Sequence, residues 1–506
     1  GLFKMINLKE KKILVLGFAR SGYSTAKVLK KLGYDVTLNA YDDLSNDKKA
    51  EELKELGINY NQRAANVIKN CYDWYSNNDV DGFHKRTNLN GVSVDVAQLG
   101  FAKRICADNA NLCEIVEVNA GESEAKFEGV LELLRTNKFS KMYRKQLEEM
   151  AATGTVGAYV RLEGAEIYDD GKVRGGDIKI NYVSSNCIVP IRVENDEIID
   201  CAFLGSGYLN GEQLTTLVVF RKKEGKYTAE SYYFNADNEL TDKATMLQLG
   251  EVKPFAIMRT AEVNNFDGMQ GYGYPKLYTA IPFLKTIDLC YSVLFGDLDK
   301  GQKLLFINEI MASMQKDQNG NSYLTQEQKK LFILLGEKLP DQKELIYEYN
   351  PEIRTAQIKE VFNLCLSLLS LSFGYGSKKY QLESGEIKTA TEYVGQRQDS
   401  MQELNKQRTE SIDYITDLVH ALIWFHNTFS DESEWSTDEE ILVEFDDSYV
   451  TDKATELDGW RNDALSFPDV VEFKIQYIMK RLNCEHEEAV KYLSTTTQDD
   501  NTDLED

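Results

Sequence analysis

KLYTAIPFLKTIDLCYSVLFGDLD, residues Lys276 to Asp299, sets Leu277, Ile281, Leu284, Ile287, Tyr291, Leu294 and Leu298 at steps of three and four. That is the spacing of one face of an α-helix. TAQIKEVFNLCLSLLSLSF, residues Thr355 to Phe373, is a second apolar helix with Leu364 and Leu368 a turn apart. Between them lies a mixed, loop-rich insertion covering about 300–354. Two apolar helices that flank an insertion predict a hairpin with the insertion projecting from its end. Periodicity alone reads such stripes as ordinary core.

Downstream, Gly374 to Glu386 is a loop carrying Gly374, Gly376 and Gly385, together with Lys378, Lys379 and Tyr380. Lys388 follows. Thr389-Ala390-Thr391-Glu392 is a capping-box pattern that opens a long helix to about Phe425. Upstream, Gln62 to Ser76, Val96 to Asn111, Gly129 to Thr136 and Tyr143 to Thr153 read as helices. Strands then dominate: Gly157 to Leu162, Asp177 to Tyr182, Ile188 to Val193, Glu197 to Leu204, Leu214 to Lys222, Tyr227 to Asn235 and Phe255 to Arg259. Many alternate apolar and polar, as half-buried antiparallel strands do. The class is α+β. Two short helices, Asp469 to Leu482 and Glu485 to Leu493, precede a polar tail, 494–506, expected to be disordered.

The chain has 506 residues, enough for several packed units, since one core seldom serves more than ~200 residues. It is 42% hydrophobic and 28% charged, a composition that folds. Its 58 basic and 82 acidic residues give a net charge of −24. Proteins that grip nucleic acid through phosphates are usually basic, so tight DNA binding is not expected. A conduit through which DNA slides remains compatible. No apolar run reaches the ~18–20 residues of a membrane span, so no membrane partner is expected. Gly1 to Ile6 is too short for a signal peptide. Eight cysteines form no CxxC pair, and four histidines form no HExxH pattern, so the thiols read as isolated and no metal or other cofactor is expected. Asp288, Glu392 and Asp399 have no nucleophile or second acid at a meaningful spacing, so no catalytic residues are assigned.

The first sixty residues read strand, helix, strand: Lys12 to Gly17, Ser21 to Leu32 and Tyr34 to Leu38, then a short helix from Asn46 to Leu56. Gly17-Phe18-Ala19-Arg20-Ser21-Gly22, followed by Ala26 to Gly33 and Val36-Thr37, resembles the N-terminal segment of Mur ligases, nearest to the D-glutamate-adding enzyme. The resemblance covers residues 8–60 and implies a small Rossmann-like βαβ segment. Gly17, Ser21 and Gly22 would hold phosphate at a helix N-terminus. A Mur ligase also needs a GxxGK[ST]-type loop, and none follows downstream. Residues 1–60 therefore read as an appended segment, dispensable for assembly.

From about residue 60 to 493 the order of parts resembles the portal proteins of long-tailed double-stranded-DNA phages of Gram-positive hosts. Met150 to Gly154 leads into the strands. Asn264 to Gly273, then Leu277 to Asp288, resembles the approach to a first stem helix, and Asn350-Pro351-Glu352-Ile353-Arg354 the approach to a second. Gly374 to Gly376, then Lys388 to Glu392, resembles the join to a channel helix. The resemblance implies an α/β wing at 61–275 and α-helical stem helices at 276–299 and 355–373. It implies a small mixed clip at 300–354, a tunnel loop at 374–388, a long channel helix at 389–427 and a helical crown at 428–493.

It also implies a non-enzymatic ring, normally a dodecamer, at one capsid vertex of the virion, assembled in the host cytoplasm. DNA would pass through it during packaging and ejection. Partners would be the terminase large subunit, the head–tail adaptor, and the major capsid and scaffolding proteins. Lys378, Lys379, Tyr380 and Lys388 would line the channel. Leu284, Ile287, Leu294, Leu364 and Leu368 would join subunits. Two rivals stay open: a Mur-like nucleotide-sugar enzyme, and a capsid or scaffolding protein without a channel. Without the resemblance, Lys378 and Lys379 read as a solvated loop pair.

Overall fold

The computed structural model describes most of residues 12–499. Outside the description lie chiefly 40–54, 168–172, 236–239, 309–317, 320–331, 336–345, 383–389 and 446–452, shorter gaps, and both ends of the chain.

The chain begins with β1 (Lys12–Leu16), α1 (Arg20–Lys31), β2 (Asp35–Asn39) and β3 (Asn59–Tyr60), a parallel sheet in the order β1-β2-β3. This is the βαβ unit that the sequence predicts. The expected helix at 46–56 falls almost wholly outside the described residues. Four helices and three short strands follow: α2 (Arg63–Tyr75), β4 (Lys85–Thr87), β5 (Ser93–Asp95), α3 (Phe101–Leu112), β6 (Ile115–Ala120), α4 (Glu124–Thr136) and α5 (Phe139–Thr153). Helix α3 starts five residues later than its apolar pattern suggests. Gly100 precedes it in a left-handed conformation (φ 72°), and residues 96–100 are not helical.

The strand region forms two main sheets. β7 (Thr155–Glu163) lies between β10 (Asp177–Ser184) and β16 (Phe255–Arg259), with the small pair β8 (Glu166–Ile167) and β9 (Val173–Arg174) beyond. β11 (Ile188–Glu194), β12 (Glu197–Leu209), β13 (Glu212–Lys223), β14 (Lys226–Phe234) and β15 (Leu240–Gln248) make an antiparallel meander. The sequence reading finds every long strand here except β15, whose polar LTDKATMLQ lacks the alternation.

Then come α6 (Lys276–Lys300), a small sheet of β17 (Leu304–Asn308), β18 (Phe332–Leu335) and β19 (Ile346–Tyr349), α7 (Thr355–Ser372) and the 40-residue α8 (Ala390–Phe429). β20 (Ile441–Phe445) pairs antiparallel with β6. Three helices close the chain: α9 (Lys453–Ser466), α10 (Val471–Leu482) and α11 (His486–Asp499). Two expectations are corrected here. The stretch 428–493 is not one helical unit, because β20 belongs to a sheet whose other strand lies some three hundred residues earlier. The polar tail is helical to Asp499, since no Gly or Pro interrupts it after Leu493.

The main core gathers α2 to α5, β7, β16, the first half of α6, the end of α7 and the second half of α8. Gln146 lies inside it: its Nε2 donates to the Gly157 carbonyl at 2.7 Å, and Tyr414 of α8 donates to its Oε1. Buried amides survive there because both ends are satisfied.

A second core corrects the reading of residues 1–60 as a mere appendage. Val15, Ala26, Val28, Leu29, Tyr34, Val36 and Leu38 pack with Val189, Ile191, Ala202, Leu204, Leu217, Val219 and Phe234 of the meander. The Arg221 guanidinium of β13 lies 4.7 Å over the Tyr34 ring. Strand alternation leaves one apolar face of that sheet, and β1-α1-β2 covers it.

Candidate subunit-contact and loop sites

The stretches Met150–Gly154 and Asn264–Gly273 meet in space. Gly154, at φ 87°, ends α5; a Cβ there would sit 2.3 Å from the Gly273 carbonyl oxygen. A Cβ on Gly273 would sit 2.1 Å from the Gly154 carbonyl oxygen. Thr260 N–H donates to that Gly154 oxygen at 3.0 Å, and Gly273 N–H donates to Thr155 Oγ1 at 2.8 Å. Asn264 Nδ2 donates to the carbonyls of Tyr272 and Gly273. This crossing sets the start of α6. There, buried Lys276 pairs with Glu403 of α8 and Glu262.

Helices α6 and α7 run antiparallel. Arg354, just before α7, donates through Nε and Nη2 to the two carboxylate oxygens of Asp297 near the end of α6, at 3.0 and 2.8 Å. That fork pulls the Asp297 carboxyl below its ordinary value. Further down the pair, Thr286 lies beside Cys365. The small β17–β19 sheet is inserted where the two helices meet, as the hairpin reading predicts.

The structure divides the apolar stripe of α6 in two. Leu277, Ala280, Leu284 and Ile287 are consumed by the chain's own core, Leu284 at 2% exposure and Ile287 at 0%. They cannot also face a neighbouring subunit, which corrects their assignment as contact residues. Past Asp288 the helix leaves the core: Leu294 is half-buried, and Tyr291, Phe295 and Leu298 are exposed, Phe295 at 62%. On α7, Cys365, Leu366, Leu369 and Phe373 face inward, while Val361, Leu364, Leu368 and Leu371 form a second, exposed stripe. Leu364 and Leu368 therefore keep their availability. Phe295, Val361 and Leu371 were not singled out from sequence. The usable signal was that α7 is apolar on two faces, one more than a chain's own core takes up.

A cleft of about 490 Å³ lies on one flank of the hairpin, between β4–β5, α6 and the start of α7. Val94, Val96, Leu289, Val293, Tyr349 and Ile353 line it together with the charged Arg86, Asp95, Asp297, Glu352 and Arg354.

The loop after α7 is clamped rather than loose along 374–382. Tyr375 is buried and accepts a bond from Asn109 Nδ2 at 3.2 Å. The Lys379 ammonium sits 3.6 Å from the Tyr375 ring centroid and 5.7 Å from that of Tyr380. Tyr380 donates to Asp108 Oδ2 at 2.7 Å, and Arg104 Nε donates to the same oxygen. Gln381 Nε2 donates to Ser367 Oγ. Burial pulls the Lys379 amine down to about 8, with Asp108 opposing and Arg104 reinforcing. Thus Lys379 and Tyr380 are spent on holding the loop to α3, while Lys378 is exposed. Lys388 lies outside the described residues. At the other end of the chain, Ser21 and Gly22 stand at the start of α1, with Gly22 buried, and Gly17 lies outside the description.

By length and composition α6 is apolar enough to cross a membrane. Lys285 and Asp288 interrupt its apolar run without lowering the mean hydropathy enough to lose that property. Its first half is core, and Asp288 there is bonded to His84.

No family model matches the chain. A 55-residue stretch is 51% identical to the UDP-N-acetylmuramoylalanine–D-glutamate ligases of Lactobacillus gasseri and Lactobacillus johnsonii, covering 11% of this chain and 12% of each ligase. Over 51 residues it is 51% identical to the same ligase of Staphylococcus aureus. The chain thus spans about an eighth of the length of the curated relatives it matches. Among solved structures, a chain from the neck of an empty gene transfer agent particle aligns over 72% of this chain and 85% of its own, at 12% identity and TM-score 0.36. A chain from the virion of a native gene transfer agent particle aligns over 73% and 86%, at 11% identity and TM-score 0.36. These scores are too low to establish a shared fold.

Proposed function

We propose that this chain is a portal subunit, a non-enzymatic ring component through which double-stranded DNA enters and leaves a phage capsid. The observation that carries the reading is the α6–α7 hairpin. It projects from the core, holds a small sheet where its helices join, and exposes apolar residues its own chain leaves uncovered. Such a hairpin fits a stem with a clip at its end, and the 40-residue α8 after the clamped loop fits a channel helix.

In this reading the protein catalyses nothing. It supplies a rigid passage and a docking surface, the terminase large subunit supplies the ATP hydrolysis, and the clip meets first the terminase and then the head–tail adaptor. The net charge of −24 suits a wall that DNA slides along, because few released counterions means weak phosphate attachment. Exposed Lys378 is the loop lysine best placed to meet DNA. The ligase alternative has less support: its resemblance covers a tenth of the chain, and no ATP-binding loop accompanies it.

Mass measurement and electron microscopy of the purified chain test the proposal. A closed ring of about a dozen copies is expected. A chain that stays monomeric at high concentration would refute it.

A further inference from the structure

We propose that Tyr291, Phe295 and Leu298 of one copy seat in the β4–β5/α6/α7 cleft of the next copy, so that the hairpins join head to tail; this rests on the ring reading above. At about 100° per residue, Leu289, Val293 and Gly296, which line the cleft, point to one flank of α6. Tyr291, Phe295 and Leu298 point to the flank roughly opposite. Thr286, beside Cys365 of α7, and Asp297, which pairs with Arg354 just before α7 and also borders the cleft, lie between the two directions. The hairpin therefore has an apolar knob on one flank and, on the other, a cleft of mixed apolar and charged lining.

The levels agree as well. The knob spans residues 291–298 of α6, and the cleft takes its α6 lining from 289–297. Rotation about a ring axis along the hairpin leaves height unchanged, so groups that pair between neighbours must stand at the same level. Knob and cleft do. Two different surfaces on one chain make a heterologous contact, which closes into a ring if the rotation allows. The exposed apolar residues of the outer half of α6 are then covered by protein, not lipid.

The test mixes full-length F295C chains with full-length I353C chains under mild oxidation, with the wild-type chain as control for native thiols. Both positions are exposed, so folding should be unaffected. Mixed F295C–I353C disulfides, stronger than either like-with-like product, are expected. Rings that give no mixed product, or mainly F295C–F295C, would overturn the pairing while leaving the ring intact. A wild-type chain that is monomeric and floats with phosphatidylcholine–phosphatidylglycerol vesicles would overturn both, and would assign the knob to lipid.

Discussion

His84 Nε2 lies 3.1 Å from Asp288 Oδ2, both side chains buried, where α6 leaves the core. Val80 N–H donates to His84 Nδ1 at 3.2 Å, so the ring proton sits on Nε2 and is aimed at the carboxylate. The other oxygen of Asp288 accepts the Leu99 N–H at 3.0 Å. Burial raises the Asp288 carboxyl above its ordinary value; the Leu99 N–H and His84 act in the opposite direction. One carboxylate thus ties the β4–β5 region to the base of the projecting hairpin.

Asp288→Ala removes the acceptor for the His84 Nε2–H and Leu99 N–H donors and should cost ~2–5 kcal/mol, from about 1–3 for each donor left unsatisfied. Asp288→Asn keeps one acceptor and should cost less. Urea unfolding of wild type and both variants checks the order; an Ala variant as stable as wild type would show that the pair contributes nothing.

Lys379 predicts a pH dependence. Its folded-state value, about 8, is below the ordinary 10.5, so the folded chain binds fewer protons than the unfolded chain between those values. Stability should therefore rise with pH across that window. The Tyr375 ring favours the charged amine and resists part of the shift, so a gain on the order of 1–3 kcal/mol is expected. Lys379→Met should lack this rise. The measurement is the difference in unfolding free energy between wild type and variant from pH 7.5 to 10.5; parallel curves would count against the clamp.

The Gly154–Gly273 crossing admits no side chain. Each Cβ would meet backbone, which cannot swing aside as a side-chain tip can. Gly273→Ala should lower stability by at least ~2 kcal/mol, and Gly154→Ala by more, because its φ is also left-handed. Thermal melts suffice, and unchanged midpoints would contradict the geometry.

Deleting residues 1–40 should strip the cover from Ala202, Leu204, Leu217, Val219 and Phe234. The expected result is raised binding of a hydrophobic dye and a lower melting temperature, whether or not rings still form. A deletion variant that melts like wild type without extra dye binding would restore the reading of this segment as a passive appendage.

Sequence by itself determined the α+β class, the strand-rich middle, the two apolar helices around an insertion, and the βαβ start. These are local matters: apolar spacing follows the backbone period, and glycine marks where the chain must turn. It could not decide which partner each apolar face meets. Leu284 and Phe295 sit on one helix with similar hydrophobicity, yet one is core and the other exposed, because only tertiary packing says where the core stops. Val15 and Leu217, like Ile441 and Ala120, come together from distant parts of the chain, and nothing in either local pattern encodes the pairing. Lys379 looked like free positive charge until the fold set two tyrosine rings beside it. Burial, and the chemistry it imposes on Asp288 and Lys379, is a property of the assembled neighbours and exists only once the chain has closed on itself.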